Sequence, residues 1–435
     1  MKTHAVFCAQ DRPGNFAGGP NAWLQRLIPD LENDGISVTT LIIGNGPAGE
    51  CPLVVFLHSR GFPFRFLDTK RIKDLYLKKK IRWLVEQLNE LKPDIFIPNL
   101  MIPAYYVAGW ARLAGIPSIG VIHSDDEFYH QLLDTFVFGD KRRQISAVVA
   151  VSKFLESKIA QKKVTGFHLA RIPYGVPIPE TSTRLASKGL RVVFVGRFRQ
   201  KQKRILDVTE AFCAAAKVHP AAKFTLLGNG PRIEEMRRII SRNSMDEAVL
   251  IHGPLPSSEV IRFLRSQDVI VLLSDYEGLP IALQEAMAVG VVPVCLKEDS
   301  GIAELLEHGE NGLIVGDRGQ GFVSAISELD TDRDLLSRLS DGARNTIESD
   351  YASNMQHKEW SQLIQSVANL ERKKRVNWPL FYGLPASHPS FNREDWLGPS
   401  FWERSKRNLT HWTLNTRLAV RPRSRIREVY RKLKS

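Results

Sequence analysis

Apolar positions along this chain follow two alternating rhythms. Short runs of Val, Ile, Leu and Phe, bounded by polar residues, Gly or Pro, predict strands over residues 4–8, 37–43, 53–58, 94–98, 118–123 and 147–151. Helical spacings lie between them. The longest covers residues 68–91, where apolar residues recur at Ile72, Leu75, Ile81, Leu84, Val85 and Leu88. The segment from Arg171 to Pro177 reads as a last short strand. Such βα alternation predicts a parallel, doubly wound sheet.

A polar, Pro/Ser/Thr-rich segment follows over residues 177–189 and reads as a linker. The rhythm then restarts. Strands are predicted over 191–195, 223–227, 249–252, 269–273, 291–296 and 312–315, and helices over 204–217, 231–243, 257–266, 280–289 and 300–307. Helical patterns over 320–348 and 355–374 close this second domain. The expected organisation is α/β: two facing Rossmann-like, doubly wound parallel-sheet domains, 1–176 and 190–354, then a closing helix over 355–374. Two such sheets leave a cleft between them, a common place for ligands.

Beyond residue 375 the periodicity stops, and this is where charge changes the picture. The chain carries a net charge of +13 over 435 residues, but residues 371–435 hold 16 Lys/Arg against 5 Asp/Glu. A net +11 therefore belongs to residues 371–435, almost all of them a basic, aromatic-rich C-terminal extension, 375–435, and the first 370 residues are near neutral. Four of the eight Trp (Trp378, Trp396, Trp402 and Trp412) lie there, too many aromatics for a fully disordered tail. Two surfaces suit it: an anionic membrane leaflet, where basic residues contribute about 1 kcal/mol each, or the first domain itself. No nucleic-acid-binding motif is present, so nucleic acid is not an expected partner.

The remaining composition narrows the class. An apolar share of 43% and a charged share of 25% are those of a globular protein. No window nears the roughly 18 apolar residues of a membrane span, and the first ten residues read as a strand, not as a secretory leader. Cys8, Cys51, Cys213 and Cys295 are far apart on apolar elements, which predicts buried free thiols and a cytoplasmic setting, with peripheral attachment to a membrane as the tail's contribution. Asp330-Thr-Asp332 is expected to cap a helix, not to hold a metal. Asn408-Leu-Thr410 matches a glycosylation acceptor that a cytoplasmic chain does not use.

Chemistry concentrates at strand ends. The stretch LSDYEGLPIALQEAMAVGVVPVC, residues 273–295, reads strand, polar turn, helix, strand, with Glu277 in the turn and Glu285 in the helix. Its helix N-terminus offers free N–H groups and a positive dipole end to a phosphate. Gly18 and Gly19 follow the first strand and allow close backbone approach. Arg197 and Lys203, after the first strand of the second domain, suit a diphosphate: one as a bidentate fork, the other as a point charge. A solvated basic loop is the plain alternative. His123 ends a strand facing the cleft, where a structural role competes with a functional one.

Taken in order, these pieces resemble the GT-B glycosyltransferases, specifically the retaining family 4. The resemblance rests on Glu277-Gly-Leu-Pro…Glu285-Ala-Met-Ala-Val-Gly, the E-x7-E signature. It is supported by Gly18-Gly19, Val195-Gly-Arg197, Lys203, Gly228-Asn-Gly-Pro231, His252-Gly253, Gly301 to Glu304 and Asn311 to Val315. It implies a metal-independent transfer of a sugar from a nucleotide-diphosphate donor, with no other cofactor, to a glycan or lipid-linked acceptor of cell-envelope polysaccharide or glycolipid synthesis. It places Glu277 on the donor sugar's hydroxyls, Glu285 on the ribose, and the backbone of Gly278, Leu279, Pro280 and Ile281 on sugar and phosphate. Arg197 and Lys203 then neutralise the leaving diphosphate, Gly18 and Gly19 close over it, and His123 stands near the sugar. Arg197 and Lys203 are one residue further apart than the common family spacing, so Lys201 competes for the phosphate. A GT-B epimerase or phosphorylase, or a non-catalytic nucleotide-sugar binder, are the alternatives.

Overall fold

The computed structural model describes residues 2–14, 18–71, 77–183, 185 and 188–370. The basic extension, and the expectations attached to it, lie outside the described residues. So do Ile72 and Leu75.

The strands of the first half are β1 (Thr3–Asp11), β2 (Ile36–Gly44), β3 (Phe64–Asp68), β4 (Ile95–Ile97), β5 (Ile119–Ile122), β6 (Ala147–Ala150) and β7 (His168–Arg171). They pair in the order β3-β2-β1-β4 and β5-β6-β7, and a parallel bridge from Phe96 to Ser118 joins the two groups. The second half holds β8 (Arg191–Arg197), β9 (Lys223–Asn229), β10 (Val249–His252), β11 (Val269–Leu272), β12 (Val292–Leu296) and β13 (Leu313–Val315), in the order β10-β9-β8-β11-β12-β13. Every described pairing is parallel, and both sheets reverse direction beside their first strand. Ala5 to Ala9 in β1 and Val269 to Leu272 in β11 are buried throughout, as strands covered by helices on both faces must be. The crevice beyond the strand ends, at the point of reversal, is where such sheets take ligands.

Residues 53–58, expected as a strand, are instead part of a helix, Pro52–Arg60. Pro52 sits in its first turn and Gly61 ends it in the left-handed conformation. The deciding contact is distant in sequence. Asp11, at the end of β1, accepts hydrogen bonds from the N–H groups of Leu53 (2.8 Å) and Val54 (3.3 Å), capping the helix from 42 residues away. Asn21 and the N–H of Arg12 hold its other oxygen, and burial pushes the Asp11 carboxyl above the usual range. The long helix expected from residue 68 is described over Leu77–Leu91, with residues 72–76 outside the described residues, and residues 64–68 form β3, which adds an edge strand.

The four cysteines are buried and free, and Asp332 caps the helix Arg333–Asp350 through the Leu335 N–H. The last helix, Ser353–Leu370, crosses back to the first domain. It packs against the helix Gly19–Asn33, β1 and β4, and places Trp360 against Trp23 and Phe7. It was expected to close the second domain; burying the Trp360 face against the first sheet decides otherwise. The two chain crossings between domains touch each other: Val176 donates to the Tyr351 carbonyl and Ser353 to that of Val176, both at 3.0 Å. The polar linker is pinned to the second domain, with Thr183 Oγ1 on the carbonyls of Arg265 (3.0 Å) and Gln267 (2.7 Å).

Candidate functional site

The helix Ile281–Ala288 starts at Pro280, beyond the end of β11, and is buried on nearly all sides. Few of its residues are polar, so its N-terminal N–H groups and the carboxylates flanking them dominate its electrostatics. The turn before it is fixed by glycine. A Cβ on Gly278 would overlap the backbone carbonyl of His123, at the end of β5 in the other domain. Gly301 is pressed onto Gly278 from the other side, and donates its N–H to the Glu277 carbonyl at 3.2 Å. The two domains therefore meet through bare backbone at the start of this helix.

Glu277 is buried and held by cations and amides of its own domain. Lys203 Nζ lies 2.6 Å from Oε1, and Gln202 Nε2 3.4 Å from Oε2. The short helix Gln200–Lys203 is tied to the same turn, since the Asp275 N–H donates to the Gln202 carbonyl (2.9 Å). Its two lysines part company here. The Lys203 side chain is 13% exposed, whereas Lys201 is 82% exposed and, among the described residues, reaches only Glu127 of the first domain, at 3.5 Å. Arg197 ends β8 exposed, and makes no ion pair among the described residues.

Glu285, one turn into the helix, is paired with Arg26 of the first domain. Gln284 donates to the Tyr174 carbonyl at 3.0 Å, another contact across the domains. Gly18 caps the helix Gly19–Asn33, and a Cβ on Gly19 would stand 3.5 Å from Ile281 Cδ1. The glycine pair thus lies against the start of the carboxylate-bearing helix. Asn15 to Ala17 lie outside the described residues.

His123 is buried, with both ring nitrogens engaged: Nδ1 with the Tyr174 hydroxyl and Nε2 with Asn99 Oδ1. It stacks on Tyr174 and meets Trp23 and Tyr129 edge-on. Burial lowers its pKa from 6.5 to about 3, so the imidazole is neutral and is no general acid near pH 7. Around it, Asn99 Nδ2, Ser124 Oγ and Tyr129 Oη are buried without hydrogen-bond partners among the described residues. Such polar atoms suit hydroxyl groups.

The sequence-predicted residues thus gather at one place, with Lys201 left outside. Sequence reasoning missed Arg26, Asn99, Tyr174 and Gln284. Their spacing gives no signal, because each acts through a partner at least 24 residues away. Among the described residues no three His, Cys, Asp or Glu side chains converge as metal ligands would, and no helix is long and apolar enough to cross a membrane.

Comparison with known proteins bears on the same two halves. Residues 17–180 match the family described as Glycosyltransferase Family 4, and residues 180–346 that described as Glycosyl transferases group 1. The chain is 33% identical over 189 residues to the putative colanic acid biosynthesis glycosyltransferase WcaL of Escherichia coli, covering 41% of this chain and 45% of that one. It is 29% identical over 196 residues to the amylovoran biosynthesis glycosyltransferase AmsK of Erwinia amylovora, covering 41% and 45%. The chain spans about half the length of these curated relatives. Among solved structures, Anabaena HepE in complex with UDP and glucose superposes with a TM-score of 0.68 at 16% identity, covering 84% of this chain and 100% of that one. Staphylococcus aureus TarM superposes with a TM-score of 0.68 at 13% identity, covering 83% and 99%. At those identities the likeness is one of fold.

Proposed function

The chain belongs to the group 1 glycosyltransferases of GT-B fold, and from that premise we propose that it transfers a sugar, with retention, from a nucleoside-diphosphate sugar to a cell-envelope glycan or glycolipid. The observation that carries this reading is the junction at Gly278. There a buried carboxylate, a partly buried ammonium and a helix N-terminus meet the backbone of the opposite domain.

Each group has a distinct task. Breaking a sugar–diphosphate bond builds negative charge on the leaving oxygen, and fixed cations stabilise it best where water is excluded. Lys203 has three N–H donors; Glu277 takes one, and two remain for phosphate oxygens. Arg197, without an ion pair among the described residues, supplies a second cation, and the backbone from Gly278 to Ile281 a third source of positive potential. With that charge in place the transfer needs no metal ion. Glu277 accepts hydrogen bonds from the donor sugar and Glu285 from the ribose. His123, neutral, faces the sugar and exchanges one of its two bonds for a hydroxyl. The carboxylates serve two parts of one ligand and are not an acid and nucleophile pair. Reaction on one face, with the departing phosphate assisting the acceptor hydroxyl, accounts for retention without a second nucleophile. The biosynthetic relatives named above support an envelope polysaccharide as acceptor.

The test is acceptor-dependent release of nucleoside diphosphate from a panel of nucleotide sugars. Glu277→Ala is expected to lower that rate at least about 100-fold while retaining nucleoside diphosphate binding. A normal rate in the variant would overturn the assignment, and conversion of donor without acceptor would replace transfer by epimerisation.

A further inference from the structure

The geometry points to Arg26 as a second-domain-facing ligand for the donor's diphosphate, stored on Glu285 until the nucleotide arrives. This rests on the transferase reading but adds a residue from the opposite domain. Arg26 stands on the helix Gly19–Asn33, whose first residue lies against Ile281. It is the one cation of the first domain paired with the carboxylate-bearing helix among the described residues.

The guanidinium is only half used. Nη2 meets Glu285, while Nη1 is buried with no hydrogen-bond partner among the described residues. A buried charged donor without an acceptor is costly, and a planar fork of donors fits the oxygens of a phosphate. The exchange also balances charge. A ribose diol satisfies the Glu285 carboxylate without neutralising it, and displaces Arg26. The displaced cation then faces the anion that enters with the ribose, the diphosphate. Ile281, at the helix start, lies one turn, about 5–6 Å along the axis, from Glu285, within the swing of an arginine side chain. With Lys203 shared with Glu277, Arg26 joins Arg197 in matching the two phosphates.

Full-length chain is titrated calorimetrically with UDP, GDP and ADP, then with the nucleoside of whichever binds tightest. The same series is repeated on Arg26→Ala and Arg26→Lys, each checked for a cooperative melt. Arg26→Ala is expected to bind the nucleoside diphosphate at least tenfold more weakly while holding the nucleoside as tightly as the parent or tighter, and Arg26→Lys to fall between. Unchanged or tighter nucleoside diphosphate binding by Arg26→Ala would make Arg26 merely a competitor for Glu285 and overturn the proposal. Equal losses for nucleoside and nucleoside diphosphate would reduce it to a structural contact and also overturn it. If the parent chain binds none of the three, the transferase reading falls first, and this one with it.

Discussion

The two sheets share a strand order but line the cleft with opposite chemistry. The second domain presents ions: Glu277 with Lys203, Glu285, and the exposed Arg197. The first presents an aromatic, uncharged wall of His123, Tyr174, Trp23 and Tyr129, with Arg26 as its one cation on the carboxylate helix among the described residues. One wall suits the ionic end of a donor, a diphosphate whose charge must be balanced. The other suits sugar, whose flat apolar faces and hydroxyls match rings and unpaired polar atoms. On the proposed function, similar scaffolds thus offer one ligand an ionic wall and an uncharged one.

The largest expected effect comes from breaking the ionic wall. Lys203→Ala is expected to lower the transfer rate about 100- to 1,000-fold, whereas Lys201→Ala, which removes an exposed cation, should change it about twofold at most. Steady-state rates decide; a greater loss in Lys201→Ala would move the phosphate contact outward. Next, within the first domain Asp11 caps the helix Pro52–Arg60, so Asp11→Ala should cost about 2 kcal/mol by stranding buried N–H groups. Denaturant unfolding measures this, and nucleoside diphosphate affinity should stay put because the ionic wall is untouched. The smallest effect concerns His123. The folded chain refuses a proton that the unfolded chain takes up as pH falls through 6.5, so stability is full above that pH and declines below it. Between pH 6.5 and about pH 5 this group should account for a loss of about 1.5 kcal/mol. His123→Asn should remove that part of the slope in melts across this range, and parallel slopes would show that the imidazole is hydrated.

The ionic wall was the legible one. Glu277, Gly278 and Glu285 are close in sequence, the strand–turn–helix around them is continuous, and a local pattern therefore carries its own geometry. The neutral wall is assembled from Asn99, His123 and Tyr174, which only the fold brings together. The helix Pro52–Arg60 was misread for the same physical reason. Leu53 to Leu57 is apolar enough for either element, and the vote came from Asp11, a residue that no window around position 55 contains. The competition between Lys201 and Lys203 was likewise undecidable from spacing alone, because the short helix is oriented by a turn more than 70 residues away, through the Asp275 N–H on the Gln202 carbonyl and Glu277 on Lys203.

The contact between Val176 and Ala352 has a mechanical meaning. A polypeptide that passes twice between two bodies can restrain them at two separate anchor points, which would freeze their orientation. Here both passages are laced to one another by backbone hydrogen bonds, so the anchors coincide and act as a single pin. Sliding of one body past the other would tear that lacing, whereas swinging about it would not. The junction at Gly278 is then the free edge of a door, and its bare backbone is the latch face that lets the door shut flush.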